Sequence, residues 1–169
     1  MVGVRKKSFT LIEVLIVVFI LGILASLLLA NFLTSLKKGR DARRKADLEQ
    51  IQKALEMYYE DKKKYPTFNI FENKNYSLCE TRIAQDCGGE KVYIQKIPND
   101  SSFGKSYEYQ FDSEGSYYRL YACLENNQQL LPYSSLTGTP IIFCSTRCKN
   151  NQNEEVPCIW AISSSNINP

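Results

Sequence analysis

The chain has 169 residues, enough for one modest core once the first 36 are set aside as a basic leader and an apolar run. Lys and Arg total 21 against 18 Asp and Glu; subtracting the three leader cations Arg5, Lys6 and Lys7 leaves 18 against 18, so the balance makes no case for a nucleic-acid partner. Histidine is absent and neither a G-x-S-x-G nor a phosphate loop occurs, so no catalytic constellation emerges and the chain is read as a non-enzyme.

Residues 1–8 are short, polar and basic, and residues 9–36 follow as an apolar stretch. Roughly 20 apolar residues span a bilayer as a helix, so this run reads as a single membrane-crossing segment. It is longer than the apolar core of a secretory signal, and the small residue Ser8 precedes it, so a leader cut here leaves the helix on the mature chain. Glu13 is the only charge inside the run. A carboxylate at bilayer depth is costly, so Glu13 either sits at the membrane surface or is kept for a partner. Counting cations places three before the run (Arg5, Lys6, Lys7) and six after it (Lys37, Lys38, Arg40, Arg43, Arg44, Lys45). That count alone puts the C-terminal side in the cytoplasm, against the cysteine distribution described below.

The string Lys7-Ser8-Phe9-Thr10-Leu11-Ile12-Glu13-Val14 resembles the processing site of type IV pilins and type II secretion pseudopilins. Ser8 stands where that family prefers Gly. The resemblance implies that a prepilin peptidase cleaves between Ser8 and Phe9 and methylates the new amine. It also implies that Glu13 meets the Phe9 amine of a neighbouring subunit, so that Phe9 and Glu13 carry assembly. Pairing two charges in an apolar filament core costs less than leaving each alone.

The helix is expected to continue to Lys64. Leu48, Ile51, Leu55 and Tyr58 recur at three- and four-residue steps and form one apolar stripe. Asp41/Lys45, Glu49/Lys53 and Glu60/Lys64 are acid-before-base pairs at i,i+4, and the basic cluster among them reads as a solvated helix face. Tyr65-Pro66 closes the helix, because a residue before proline avoids the helical region. This half resembles the amphipathic half-helix of major pseudopilins.

Residues 67–91 read as a long polar connection, with a short strand expected at 92–94. Tyr107-Glu108-Tyr109-Gln110-Phe111 alternates with period two, 112–116 makes a turn and 117–124 returns, which is an antiparallel hairpin. Its face of Tyr118, Leu120, Ala122 and Leu124 is expected to pack on the helix stripe. Residues 141–144 and 156–162 are further strand candidates, and the tail 163–169 is expected to be mobile. The excess of Tyr (11) over Phe (8) points to half-exposed sheet or interface positions.

All six cysteines, Cys79, Cys87, Cys123, Cys144, Cys148 and Cys158, follow the apolar run, which predicts disulfides in an oxidising compartment. The intervals 79–87, 144–148 and 148–158 offer small loops, and sequence leaves the pairing open. Without histidine or paired short knuckles, a zinc site is disfavoured. Major pseudopilins of type II secretion bind calcium near their C-terminal end, and Asp100, Asp112 and Glu114 are the candidate ligands here. Two or three turn carboxylates fall short of the six to eight oxygens calcium takes, and no acidic Gly-rich C-terminal loop follows, so solvated turn residues are the expected reading.

The predicted fold is α+β: a long N-terminal helix, membrane-spanning in its first half and amphipathic in its second, packed on a small antiparallel β-sheet head. The expected divisions are a cleaved leader (1–8), a transmembrane or filament-core helix (9–36), its amphipathic continuation (37–65), a disulfide-bearing head (66–162) and the tail. The resemblance implies a subunit that polymerises through its helix into a surface filament. The pseudopilus of type II secretion is the alternative, and a single-pass anchored domain that never polymerises is the more distant one. Implied partners are identical or homologous pilin subunits, the prepilin peptidase, the membrane-embedded assembly machinery and, before assembly, the lipid bilayer. The implied location is the inner membrane with the head outside the cytoplasm, then an extracellular or periplasmic filament.

Overall fold

A computed structural model describes residues 10–73, 76–100 and 107–168, with the side chains of 27–31 outside that description. The chain divides into two compact units between Lys37 and Lys38. A single helix, α1 (Leu11–Lys62), supplies the first unit and opens the second. It ends two residues before the expected Lys64, because Lys63 turns to a positive φ of 56° while its N–H still donates to the Tyr59 carbonyl at 2.8 Å.

In the first unit the apolar side chains from Leu11 to Leu24 are exposed on the isolated chain. A helix apolar all round needs a bilayer or other helices as its cover. Among the described residues no helix is long and apolar enough to cross a membrane. The run read as a span includes residues 27–31, whose side chains are not described, and Phe9, which lies outside the described residues.

The second unit is the head. Its strands are β1 (Ser77–Cys79), β2 (Ile83–Ala84), β3 (Val92–Ile94), β4 (Glu108–Phe111), β5 (Tyr118–Cys123), β6 (Arg147–Lys149), β7 (Glu155–Pro157) and β8 (Ile159–Ser163). They form three small sheets, β2-β1-β3, β4-β5-β8 and the hairpin β6-β7, with every pairing antiparallel. The expected hairpin is β4-β5, in register from Glu108 opposite Tyr121 to Phe111 opposite Tyr118. Leu48, Ile51, Leu55 and Tyr58 share one core with Tyr118, Leu120 and Ala122. Leu124, expected on the same face, instead joins Leu131, Cys148 and Cys158 in a separate cluster. The reason lies in the chain path: beyond Cys123 the strand ends, and Leu124 N–H donates to the Cys158 carbonyl at 2.8 Å.

Three segments differ from expectation. The connection 67–91 contains β1 and β2, which are too short for any periodicity to reveal. Residues 141–144 form no strand, because the Ile141 and Ile142 N–H groups donate to the Glu108 carboxylate (2.8 Å each at the shorter oxygen) rather than to a ladder. The tail is hydrogen-bonded: Ser164 is buried, Asn166 Nδ2 donates to the Ser116 carbonyl at 2.9 Å and Thr137 Oγ1 to the Asn168 carbonyl at 2.8 Å.

The β4–β5 turn docks on the end of the helix. Tyr65 N–H donates to the Gly115 carbonyl at 2.8 Å, and Gly115 has a φ of 72°. A Cβ at Gly115 would meet the Tyr65 carbonyl oxygen at 2.6 Å. Gly115→Ala is therefore expected to lower head stability by about 2–3 kcal/mol, combining left-handed backbone strain with displacement of the contact. The urea midpoint of the purified protein reads this out, and an unchanged midpoint would contradict it.

Candidate assembly site

Thr10 precedes the first helical residue and acts as its cap. The Glu13 N–H donates to Thr10 Oγ1 at 3.3 Å and the Val14 N–H to the Thr10 carbonyl at 3.3 Å. Thr10-Leu11-Ile12-Glu13 thus carries the Thr-x-x-Glu spacing of a capping box, and half of that box is formed. The spacing is visible in the sequence, yet a reading of Glu13 by charge alone passes over it. The cap places Glu13 in the first turn, where the positive end of the helix dipole favours a carboxylate. Ser8 and Phe9, the expected processing residues, lie outside the described residues.

The head is fixed to the helix by a buried ionic cluster. The Asp41 carboxylate, 3% exposed as a residue, accepts the Glu125 and Asn126 N–H groups at 2.8 Å each, Gln129 Nε2 at 3.1 Å and Arg44 Nη1 at 2.8 Å. Arg44, equally buried, also reaches Asp100 at 2.5 Å and Glu125 at 2.6 Å. Arg40 closes the cluster on Glu125 at 2.5 Å. This overturns the reading of the basic segment as a solvated face for the buried Arg44, while Lys37, Lys38 and Arg43 do lie exposed. Asp41 pairs with Arg44 at i,i+3 rather than with Lys45, whose ammonium goes to Gln129 Oε1 at 2.9 Å and lies 4.1 Å from the centre of the Trp160 ring.

Burial works against the charge on Arg44, but its hydrogen bonds with Asp100 and Glu125 outweigh it and raise its pKa. Burial likewise opposes the Glu125 carboxylate, and the hydrogen bonds from Arg40 and Arg44 prevail, holding it below the usual range. A carboxyl group depressed in the folded state adds stability above its unfolded pKa of about 4.3 and loses it as pH falls through the folded value. The head is therefore expected to lose stability from about pH 4 downward. Glu125→Gln should flatten that dependence in urea titrations at pH 7 and pH 3, and an equally steep loss in the variant would contradict it.

The tyrosines also bind the head to the helix. Tyr65 and Tyr118 donate to the two oxygens of Glu56 at 3.0 and 2.9 Å, Tyr107 to Asp47 at 2.7 Å and Tyr93 to Asp61 at 2.8 Å. Burial first, then these acidic neighbours, raise the pKa of all four hydroxyls. Most of the tyrosines are thus buried rings, four of them with a hydroxyl on a helix carboxylate, while Tyr59, Tyr76, Tyr117 and Tyr133 keep half-exposed or exposed positions.

The six cysteines form Cys79–Cys87, Cys123–Cys144 and Cys148–Cys158, leaving none free. Two of the three short intervals are bridged; Cys144 passes over its near neighbour Cys148 because the bridge to Cys123 ties the 141–144 segment to the end of β5. Of the candidate calcium ligands, Asp100 is held by Arg44, while Asp112 accepts Ser116 Oγ and Glu114 lies in the β4–β5 turn. Among the described residues no three acidic or cysteine side chains are placed to hold a metal ion.

Residues 4–29 match the family described as the prokaryotic N-terminal methylation motif, and residues 31–129 match type II secretion system (T2SS), protein G. Similar curated proteins carry the name type II secretion system core protein G. That of Aeromonas hydrophila is 35% identical over 108 residues, covering 62% of this chain and 72% of the relative. That of Klebsiella pneumoniae is 33% identical over 107 residues (62% and 74%), and that of Vibrio cholerae 34% over 109 (62% and 70%). No solved structure matches. The matched region stops at residue 129, so β6, β7, β8 and the cysteines from Cys144 onward lie beyond it.

Proposed function

Because the chain belongs to the type II secretion system protein G family, we propose that it is cut between Ser8 and Phe9, held in the inner membrane by its apolar helix, and then polymerised into a periplasmic pseudopilus. The observation that carries this reading is the succession of the methylation motif over 4–29 and the protein G family over 31–129 in one chain. It favours the pseudopilus, the alternative in the sequence reading, over the surface filament. The family is one of structural subunits, in keeping with a role in assembly rather than catalysis.

In this reading the exposed apolar side chains of Leu11–Leu24 pass from lipid to neighbouring helices without meeting water. Glu13 pairs with the Phe9 amine of an adjacent subunit and sets the axial register, while the head, fastened by Asp41, Arg44 and Glu125, faces outward. Partners are other copies, homologous pseudopilins, the prepilin peptidase and the membrane assembly machinery.

Deleting the chain in its native cell tests the choice. Loss of type II export with surface fibres unchanged is the expected result. Loss of surface fibres with normal export would favour the pilus instead.

A further inference from the structure

We propose that Lys38 and Arg43, with Lys37 just ahead of them in the chain, bind the phosphates of anionic phospholipids while the subunit waits in the membrane. The proposal rests on the membrane-anchored reading given above. Six cations follow the apolar run, and a simple count would draw that end of the helix to the cytoplasm. In the folded head these six cations are not equivalent. Arg44 is buried among Asp41, Asp100 and Glu125, Arg40 is paired to Glu125, and Lys45 sits over Trp160. That cluster sets two guanidinium groups against three carboxylates, so it offers no attraction to an anion.

Lys37, Lys38 and Arg43 remain exposed and make no ion pair among the described residues. Lys38 and Arg43 are five residues apart on α1, about 140° around the axis and roughly 7.5 Å along it. They therefore lie on different sides of the helix, at heights that differ by about the thickness of one headgroup layer. That disposition suits a ring of lipid headgroups better than one flat partner. Arg43 offers a planar fork for phosphate oxygens, and the lysines offer point charges. Each such cation is worth about fivefold in attraction to an anionic surface, an effect that salt weakens. The folded head thus pairs Arg40 and Arg44 internally and leaves Lys37, Lys38 and Arg43 to grip the leaflet around it.

The test uses the full chain in nanodiscs of phosphatidylcholine with one part in five phosphatidylglycerol, followed by native mass spectrometry of the lipids that stay bound. The expected result is several-fold enrichment of phosphatidylglycerol on the unaltered chain, unaffected by millimolar inorganic phosphate. In the variant combining Lys37→Gln, Lys38→Gln and Arg43→Gln the enrichment should fall to the bulk ratio. Lys53→Gln, Lys63→Gln and Lys96→Gln together remove the same charge from other exposed sites and should preserve it. No enrichment on the unaltered chain, or equal loss in the control, would overturn the proposal. So would displacement by phosphate, which would mark a free-phosphate site. Loss of self-association by the first variant in lipid-free detergent, with its lipid enrichment intact, would assign these cations to a second copy of the chain and overturn it as well. A chain that does not enter the nanodiscs at all would refute the anchored reading itself, a failure distinct from the others.

Discussion

Changing Glu13 to alanine is expected to leave the chain in the membrane fraction and cut its incorporation into filaments by at least a hundredfold. Two effects add in that variant. In the proposed filament the Phe9 amine of the neighbour loses its partner in an apolar core, and breaking one side of a buried ion pair typically costs about 3–5 kcal/mol. The first helical turn also loses its acid, a change worth only about 0.3–1 kcal/mol. Glu13→Gln separates the two, since glutamine also serves at the third position of a capping box but carries no charge. If pairing dominates, Glu13→Gln should be nearly as defective as Glu13→Ala. Thr10→Ala, which removes the hydroxyl that accepts the Glu13 N–H, should cost only about 1 kcal/mol and leave filaments detectable. Sedimentation of crosslinked filaments compares the three, and normal filament yield from Glu13→Ala would remove Glu13 from the assembly mechanism.

The second large effect is expected at Arg44. Arg44→Met leaves Asp41, Asp100 and Glu125 gathered around a site that has lost its central cation, with Arg40 reaching only Glu125. An uncompensated buried charge of this kind costs about 3–5 kcal/mol, a large share of the stability of a small domain. Arg44→Lys should recover little, because one ammonium cannot present the fork that meets three carboxylates at once. The neighbouring Arg43→Met should stay within about 0.5 kcal/mol, as exposed substitutions usually do. Urea denaturation of the three variants gives the comparison, and similar midpoints for Arg43→Met and Arg44→Met would contradict the account of the cluster.

These two residues also mark how far the sequence could be read. The stripe Leu48, Ile51, Leu55 and Tyr58 and the alternation through Tyr107 and Tyr109 were legible because both follow the period of a single element. Arg44 was not, because its partners Asp100 and Glu125 lie 56 and 81 positions further along and reach it only through the fold. Reasoning along the helix alone pairs Asp41 with Lys45, four residues on, and leaves the arginines in solvent. The 141–144 segment was misread for a related reason. Its β-forming residues lack a ladder partner, and a side-chain carboxylate from β4 takes their N–H groups instead. The disulfides Cys79–Cys87 and Cys148–Cys158 close short loops and were within reach, whereas Cys123–Cys144 required knowing where β5 ends. At the N-terminus the motif spoke most clearly, through Phe9, Thr10 and Glu13 together.

The assembly proposed above depends on a free amine at Phe9, so the mass of the mature N-terminal peptide is the most direct measurement. Protein isolated from the native cell should yield a peptide that begins at Phe9 and carries one added methyl group. A mature chain that retains Met1 and residues 2–8 would leave Glu13 without its partner and contradict the account.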